Sequence, residues 1–223
     1  MGLLEIYKKS IDFVKNHIIE SLLYGISFYI LWILIFLIPI IGAIIFSYFY
    51  PRLSKWYYTK VTGDNINPDY KTSFKSLLIP TILASIGIIF ILYGTYYTPV
   101  PTGYINLFGS TSYQYVSYNP TLIIIGWAII IISIILSILL LYTFYGSILG
   151  KVNKLSIYFE KSLILLAYIL LYLIIALLIL AVIYIIYALA ISINYGAMIF
   201  TILSIIFLVP TVTLIALLKA QEL

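Results

Sequence analysis

The one histidine, His17, stands beside Asn16 and Glu20. Together they could touch a metal, but a lone histidine on a polar helix face is ordinarily solvated. Residues 63–69, "GDNINPD", gather two carboxylates and two amides. Their spacing is not that of a calcium loop, and Gly, Asp, Asn and Pro in succession are turn chemistry. There is no cysteine, hence no thiol nucleophile and no disulfide. The sequence contains no phosphate loop, nucleophile elbow, zinc motif or dinucleotide fingerprint. No catalytic, cofactor-binding or metal residue is therefore assigned, no cofactor is expected, and an enzyme is not the expected class.

The remaining polar candidates are hydroxyls. Tyr168 and Tyr172 are four apart, and Tyr184 and Tyr187 three apart, so each pair shares a helical stripe. Such stripes usually pack or meet lipid. Thr81 and Ser85, and Ser133 and Ser137, are small hydroxyl pairs at spacing four. Small residues at that spacing let helices approach closely, and spans three and four are expected to pack there. A substrate path along these hydroxyls is the sharper alternative. Pro210 should kink its helix and free a carbonyl.

The elements that must carry these groups are dictated by hydropathy. Of 223 residues 64% are hydrophobic and 9% charged, whereas a soluble domain carries about 25% charged residues. Runs of about 20 apolar residues cross a bilayer. The sequence predicts an all-α polytopic membrane protein, read as one transmembrane domain over 1–223 with six spans: 21–38, 40–58, 77–97, 121–145, 162–191 and 196–218. The first run is longer than a signal-peptide core and lacks a cleavage site, so it is expected to remain as a span. Span two is short between its charges; the alternative is a shallow re-entrant hairpin of spans one and two around Pro39.

All twelve basic residues fall before span one, from the inner end of span two to span three, between four and five, or after span six. These zones share one side, cytoplasmic by the positive-inside rule. Both termini are then inside, as in a multi-pass cell-membrane protein. The seven acidic residues lie in the same zones. The net charge of +5 fits contact with an anionic leaflet rather than with nucleic acid.

A short phrase recurs at the inner ends. Tyr7-Lys8-Lys9-Ser10, Tyr70-Lys71-Thr72-Ser73 and Phe159-Glu160-Lys161-Ser162 each precede a pair of spans. The expected unit is elbow, span, outer turn, span, repeated as three hairpins. Tyr7, Lys8, Lys9, Tyr70, Lys71, Lys75, Phe159 and Lys161 would meet the interface and its lipids, as would Arg52, Lys55 and Trp56. The serine would cap the entering helix. Over 1–20, Leu4, Tyr7, Ile11, Val14 and Ile18 predict an amphipathic helix on the inner surface. In the outer loop, 98–120, alternation in "GYINLFG" and "YQYVSYN" predicts a β-hairpin.

Residues 38–74, "IPIIGAIIFSYFYPRLSKWYYTKVTGDNINPDYKTSF", resemble a domain-of-unknown-function family of prokaryotic (archaeal or bacterial) six-span integral membrane proteins. An Ile-Pro-Ile turn leads into a span, followed by a basic stretch, an acidic turn with proline and a Phe before the next span. Residues 143–163, "TFYGSILGKVNKLSIYFEKSL", are similar to that family's later elbow. The chain departs from the pattern with Ser47 in place of a glycine and Pro51 within the span. The resemblance implies a fold and carries no activity.

The expected function is a non-enzymatic component that organises the membrane or serves as the membrane subunit of a complex. Its expected partners are the lipid bilayer and a protein partner or second copy. The alternative is the permease subunit of an ATP-driven exporter, which shares the amphipathic elbow, six spans and basic inner loop.

Overall fold

The computed structural model describes residues 2–95, 119–190 and 193–223. Every regular element among them is a helix. In chain order these are α1 (Leu3–Asn16), α2 (Ile18–Leu37), α3 (Pro39–Thr62), α4 (Tyr70–Thr95), α5 (Pro120–Leu139), α6 (Leu141–Ile148), α7 (Phe159–Ala190), α8 (Ile193–Leu203) and α9 (Val209–Glu222). A π-helical turn, Ser204–Leu208, joins α8 to α9. Among the described residues five stretches are long and apolar enough to cross a membrane: Ile18–Leu37, Tyr70–Thr95, Pro120–Leu139, Phe159–Ala188 and Gly196–Glu222. This is an all-α membrane-protein architecture. α3 is not among the five; Arg52, Lys55 and Lys60 dilute its hydropathy. The β-hairpin expected in the outer loop falls at 96–118, outside the described residues.

Three antiparallel helix pairs build the bundle. α2 and α3 turn back on each other at Ile38, where Pro39 opens α3 with its φ already helical. Their register is visible in the bonds Ser21–Tyr57 and Tyr24–Ser54 and in the packing of Phe28 on Tyr50. α4 and α5 cross where Gly87 and Gly126 face one another. A Cβ on either would lie within 2.8 Å of the other's carbonyl oxygen, so the backbones touch. Ser133 Oγ donates to the Pro80 carbonyl across the same pair. Thr81 and Ser85 face α3 instead: Thr81 shares a hydrogen bond with Ser47, and Ser85 donates to the Pro39 carbonyl. Ser137 is exposed and bonds back to Ser133. The third pair is α7 against α8, where Tyr184 packs on Gly196.

Two spans read as continuous are interrupted. The predicted span 121–145 breaks at Leu140 (φ −91°, ψ 1°). Ser162 mends the break, accepting from the Tyr142 N–H and donating to the Leu139 carbonyl. α6 beyond it is buried from Tyr142 to Ile148. The predicted span 196–218 contains the π turn. Pro210 has no N–H to give, and the Val209 N–H reaches back to Ser204, so the proline widens the helix locally.

Two serines of the recurring phrase, Ser73 and Ser162, join helices rather than capping them, while the Ser10 hydroxyl has no hydrogen-bond partner among the described residues. Ser10, Ser73 and Ser162 are all buried. Ser73 shares a hydrogen bond of 2.9 Å with Ser147 on α6. The cap of α4 is Asp69, whose Oδ1 accepts from the N–H groups of Lys71 and Thr72. The buried face of α1 is Ile6, Tyr7, Ser10 and Val14, whereas Leu4 and Ile18 point outward. α1 is thus folded across the basic end of the bundle, with Tyr7 Oη donating to the Tyr168 carbonyl on α7.

The Thr72 side chain and the backbone N–H groups hold the Asp69 carboxyl below the usual range. A lowered folded value means the cap stabilises fully above the unfolded value of about 3.9 and loses its contribution as pH falls through the folded value. Asp69→Ala should cost about 1 kcal/mol in thermal unfolding at pH 7, and Asp69→Asn should cost less because an amide oxygen still caps. Equal losses for both would assign the effect to charge rather than to capping.

Candidate functional site

The interior and the rim of the basic end offer two different candidates. The interior one is built from a short pattern that occurs on both α2 and α3: Ser21-x-x-Tyr24 and Ser54-x-x-Tyr57. Spacing three puts each serine and tyrosine on one face. The antiparallel register then pairs them reciprocally. Ser21 Oγ and Tyr57 Oη are 2.7 Å apart, and Tyr24 Oη lies 3.2 Å from Ser54 Oγ. Tyr24 also meets Thr213 Oγ1 of α9 at 2.9 Å. The two tyrosine rings stack with centroids 4.5 Å apart. Tyr50, Phe46 and Phe144 extend the aromatic packing toward α6. All four hydroxyl residues of the zipper are fully buried.

Each zipper hydroxyl has a protein partner and no solvent access, so the arrangement joins helices. Interhelical hydrogen bonds in membranes average about 0.6 kcal/mol, a modest energy. Their larger effect is register, because a one-residue slip would bury hydroxyls without partners. Hydropathy alone did not point to this cluster, although the repeated Ser-x-x-Tyr was a readable signal.

The second candidate is Arg52 on α3. Its guanidinium lies 3.7 Å from the Tyr48 ring centroid and 4.6 Å from that of Tyr70. Nη1 donates to the Tyr48 carbonyl at 2.6 Å. Tyr70 is the first residue of α4, so the contact ties the start of that helix to α3. Arg52 and Tyr70 are thus two of the expected interface groups that the structure brings together.

The other expected interface residues are distributed around the same end. Lys8, Lys9, Lys71, Lys75 and Phe159 are exposed, and Lys55 and Trp56 half-buried. Tyr7 is buried against Tyr172 instead of facing outward. Lys161 donates to the Leu223 carbonyl and lies over the Tyr142 ring. Lys151 donates to the Gln221 and Ala220 carbonyls. Both lysines therefore sit on the carbonyl end of α9, where the helix dipole favours cations. Gly150, at φ +75°, makes this turn; its Cβ position would fall 2.3 Å from the Asn67 carbonyl oxygen of the neighbouring loop.

His17 Nδ1 is 3.9 Å from Glu20. Among the described residues no cluster of three His, Asp or Glu side chains is arranged to hold a metal. Of the tyrosine stripes, Tyr168 lies under Lys219 at 4.6 Å and Tyr187 is exposed. Comparisons with family models, curated proteins and solved structures found no match.

Proposed function

We propose that this chain is a non-enzymatic, multi-pass membrane protein that organises the bilayer around it, alone or as the membrane subunit of a complex. The observation that carries the reading is where the α2–α3 turn ends. Pro39 meets α4 at Ser85, ten residues before Thr95, the end of α4. That is about 15 Å of helix, over which the α4–α5 hairpin continues without α2 and α3. Burial follows the same gradient. On α7 the buried residues Ser162, Leu165, Ile169 and Tyr172 lie in its basic-end half, with Leu180 beyond.

Such a body is thick in one leaflet and thin in the other. α2 is by itself long enough to cross, but a hairpin whose turn stops short of the far headgroups is accommodated by thinning or rearranging the lipid around it. In this reading six helices enter the bilayer as three hairpins, with α2–α3 the short one. The basic end lies in the cytoplasmic leaflet of the cell membrane. Purified protein in vesicles should change bilayer curvature or thickness, read by vesicle size and scattering, without moving solutes or converting lipids. Solute transport or lipid turnover by the protein alone would overturn the proposal. ATP-dependent export with a co-purifying ATPase would replace it with the permease alternative.

Topology has a clean test, because the chain has no cysteine of its own. Single substitutions Lys60→Cys and Lys154→Cys should react with an impermeant maleimide from the cytoplasmic side only. Ser110→Cys should react from the other side only. Any exchange of sides would refute the orientation.

A further inference from the structure

Between α2 and α3 runs a groove of about 430 Å³, lined by Ser27, Ile30, Leu31, Phe49, Arg52 and Leu53. Its walls are apolar apart from Ser27, and Arg52 is the one charged residue lining it. No carboxylate pairs with Arg52 among the described residues; its one hydrogen bond there is from Nη1 to the Tyr48 carbonyl. A guanidinium has five N–H donors in a planar fork. Most of that fork is left without a protein acceptor, while the Tyr48 and Tyr70 rings hold it. The side chain is half-exposed.

An unpaired, pre-oriented guanidinium above an apolar channel is complementary to one kind of ligand. A phosphate accepts the fork bidentately, and a hydrocarbon chain fills the walls. A second protein helix, about 10 Å across, would fill the walls but leave the charge unmatched. We propose that this groove holds an anionic phospholipid of the basic-side leaflet. Its phosphate rests on Arg52, and one acyl chain lies along Ile30, Leu31, Phe49 and Leu53. The inference rests on placing the basic end in the headgroup region of that leaflet.

The test is native mass spectrometry of the purified full chain, titrated with phosphatidylglycerol and with phosphatidylcholine of matched chains. The expected result is one saturable phosphatidylglycerol adduct, with phosphatidylcholine roughly tenfold weaker or more. Arg52→Gln should abolish that preference, and Arg52→Lys should keep part of it. Ser27→Trp, which fills the groove and leaves the charge, should weaken both lipids. Lys154→Gln, an exposed charge between α6 and α7, should change nothing.

Equal binding of the two lipids by the wild type would overturn the site. So would an unchanged preference in folded Arg52→Gln. If that variant does not fold, unchanged binding by Ser27→Trp is the overturning result. Displacement of the lipid by millimolar inorganic phosphate would identify a free-anion site and likewise refute the lipid. Labelling of Lys60→Cys reports leaflet placement separately. Labelling from the expected side with no Arg52 effect condemns the lipid site alone; labelling from the wrong side condemns the placement.

Discussion

Replacing Gly25 with alanine is expected to unseat α2 from the bundle. A Cβ at Gly25 would lie 2.0 Å from the Ile205 carbonyl oxygen and 2.8 Å from its carbon. The obstacle is backbone in a segment that cannot yield easily. Ile205 lies in the π turn, where the Val209 N–H is taken by Ser204 and Pro210 has none to offer. The Ile205 carbonyl is therefore left to face Gly25. Overpacking a core typically costs 1–3 kcal/mol when side chains can move; here the cost should reach about 3 kcal/mol or more. For a chain of this size that lowers the melting temperature by roughly 6–12 °C. Circular dichroism melts in detergent should show it for Gly25→Ala. Gly2→Ala, with nothing within 4 Å, is the silent control. An unchanged melt for Gly25→Ala would mean the π turn does not touch α2.

The helical class is legible in the sequence because long uncharged runs leave no other way to satisfy backbone groups in lipid. Pro210 likewise announces a local irregularity, and a π turn precedes it. What hydropathy cannot see is a break inside an apolar run. "LSILLLYT" reads as one helix, and the residue that mends its interruption, Ser162, lies twenty positions beyond Tyr142. The face of α1 is legible only in part, with Tyr7 and Val14 buried as expected, for a related reason. Periodicity gives a stripe but not the direction from which α9 and α7 approach, so Ile6 and Ser10 are buried and Leu4 is not. The Ser-x-x-Tyr words on α2 and α3 were readable as local spacing, yet their pairing needed the register of the hairpin. Arg52 could be read as an interfacial cation; its stacking on Tyr70 depends on where α4 begins.

A single positive charge at the α2–α3 turn should separate a short hairpin from a pair of full spans. The turn is apolar throughout, with Leu37, Ile38, Ile40 and Ile41 exposed. Residues 37–41 themselves bear none of the charged or aromatic groups that mark a headgroup-level turn, although Phe36 and, one turn earlier, Trp32 are exposed beside them. Its backbone is satisfied from within the protein: the Ile38 N–H bonds to Leu34, the Gly42 N–H to Ile38, and the Pro39 carbonyl accepts from Ser85. Irregular backbone at membrane depth requires such internal partners. Ile41→Lys then places an ammonium near the level of Ser85, about 15 Å of helix short of the far end of α4, and the expected cost is about 2.5–3.5 kcal/mol. Tyr93→Lys, on an exposed position near that far end, should cost about 0–1 kcal/mol because the charge reaches headgroups. Yield of folded protein by size exclusion and the melting temperature both report the difference. If the two variants behave alike, the turn reaches the opposite headgroups, α2 and α3 are full spans, and the leaflet asymmetry behind the proposed function is lost.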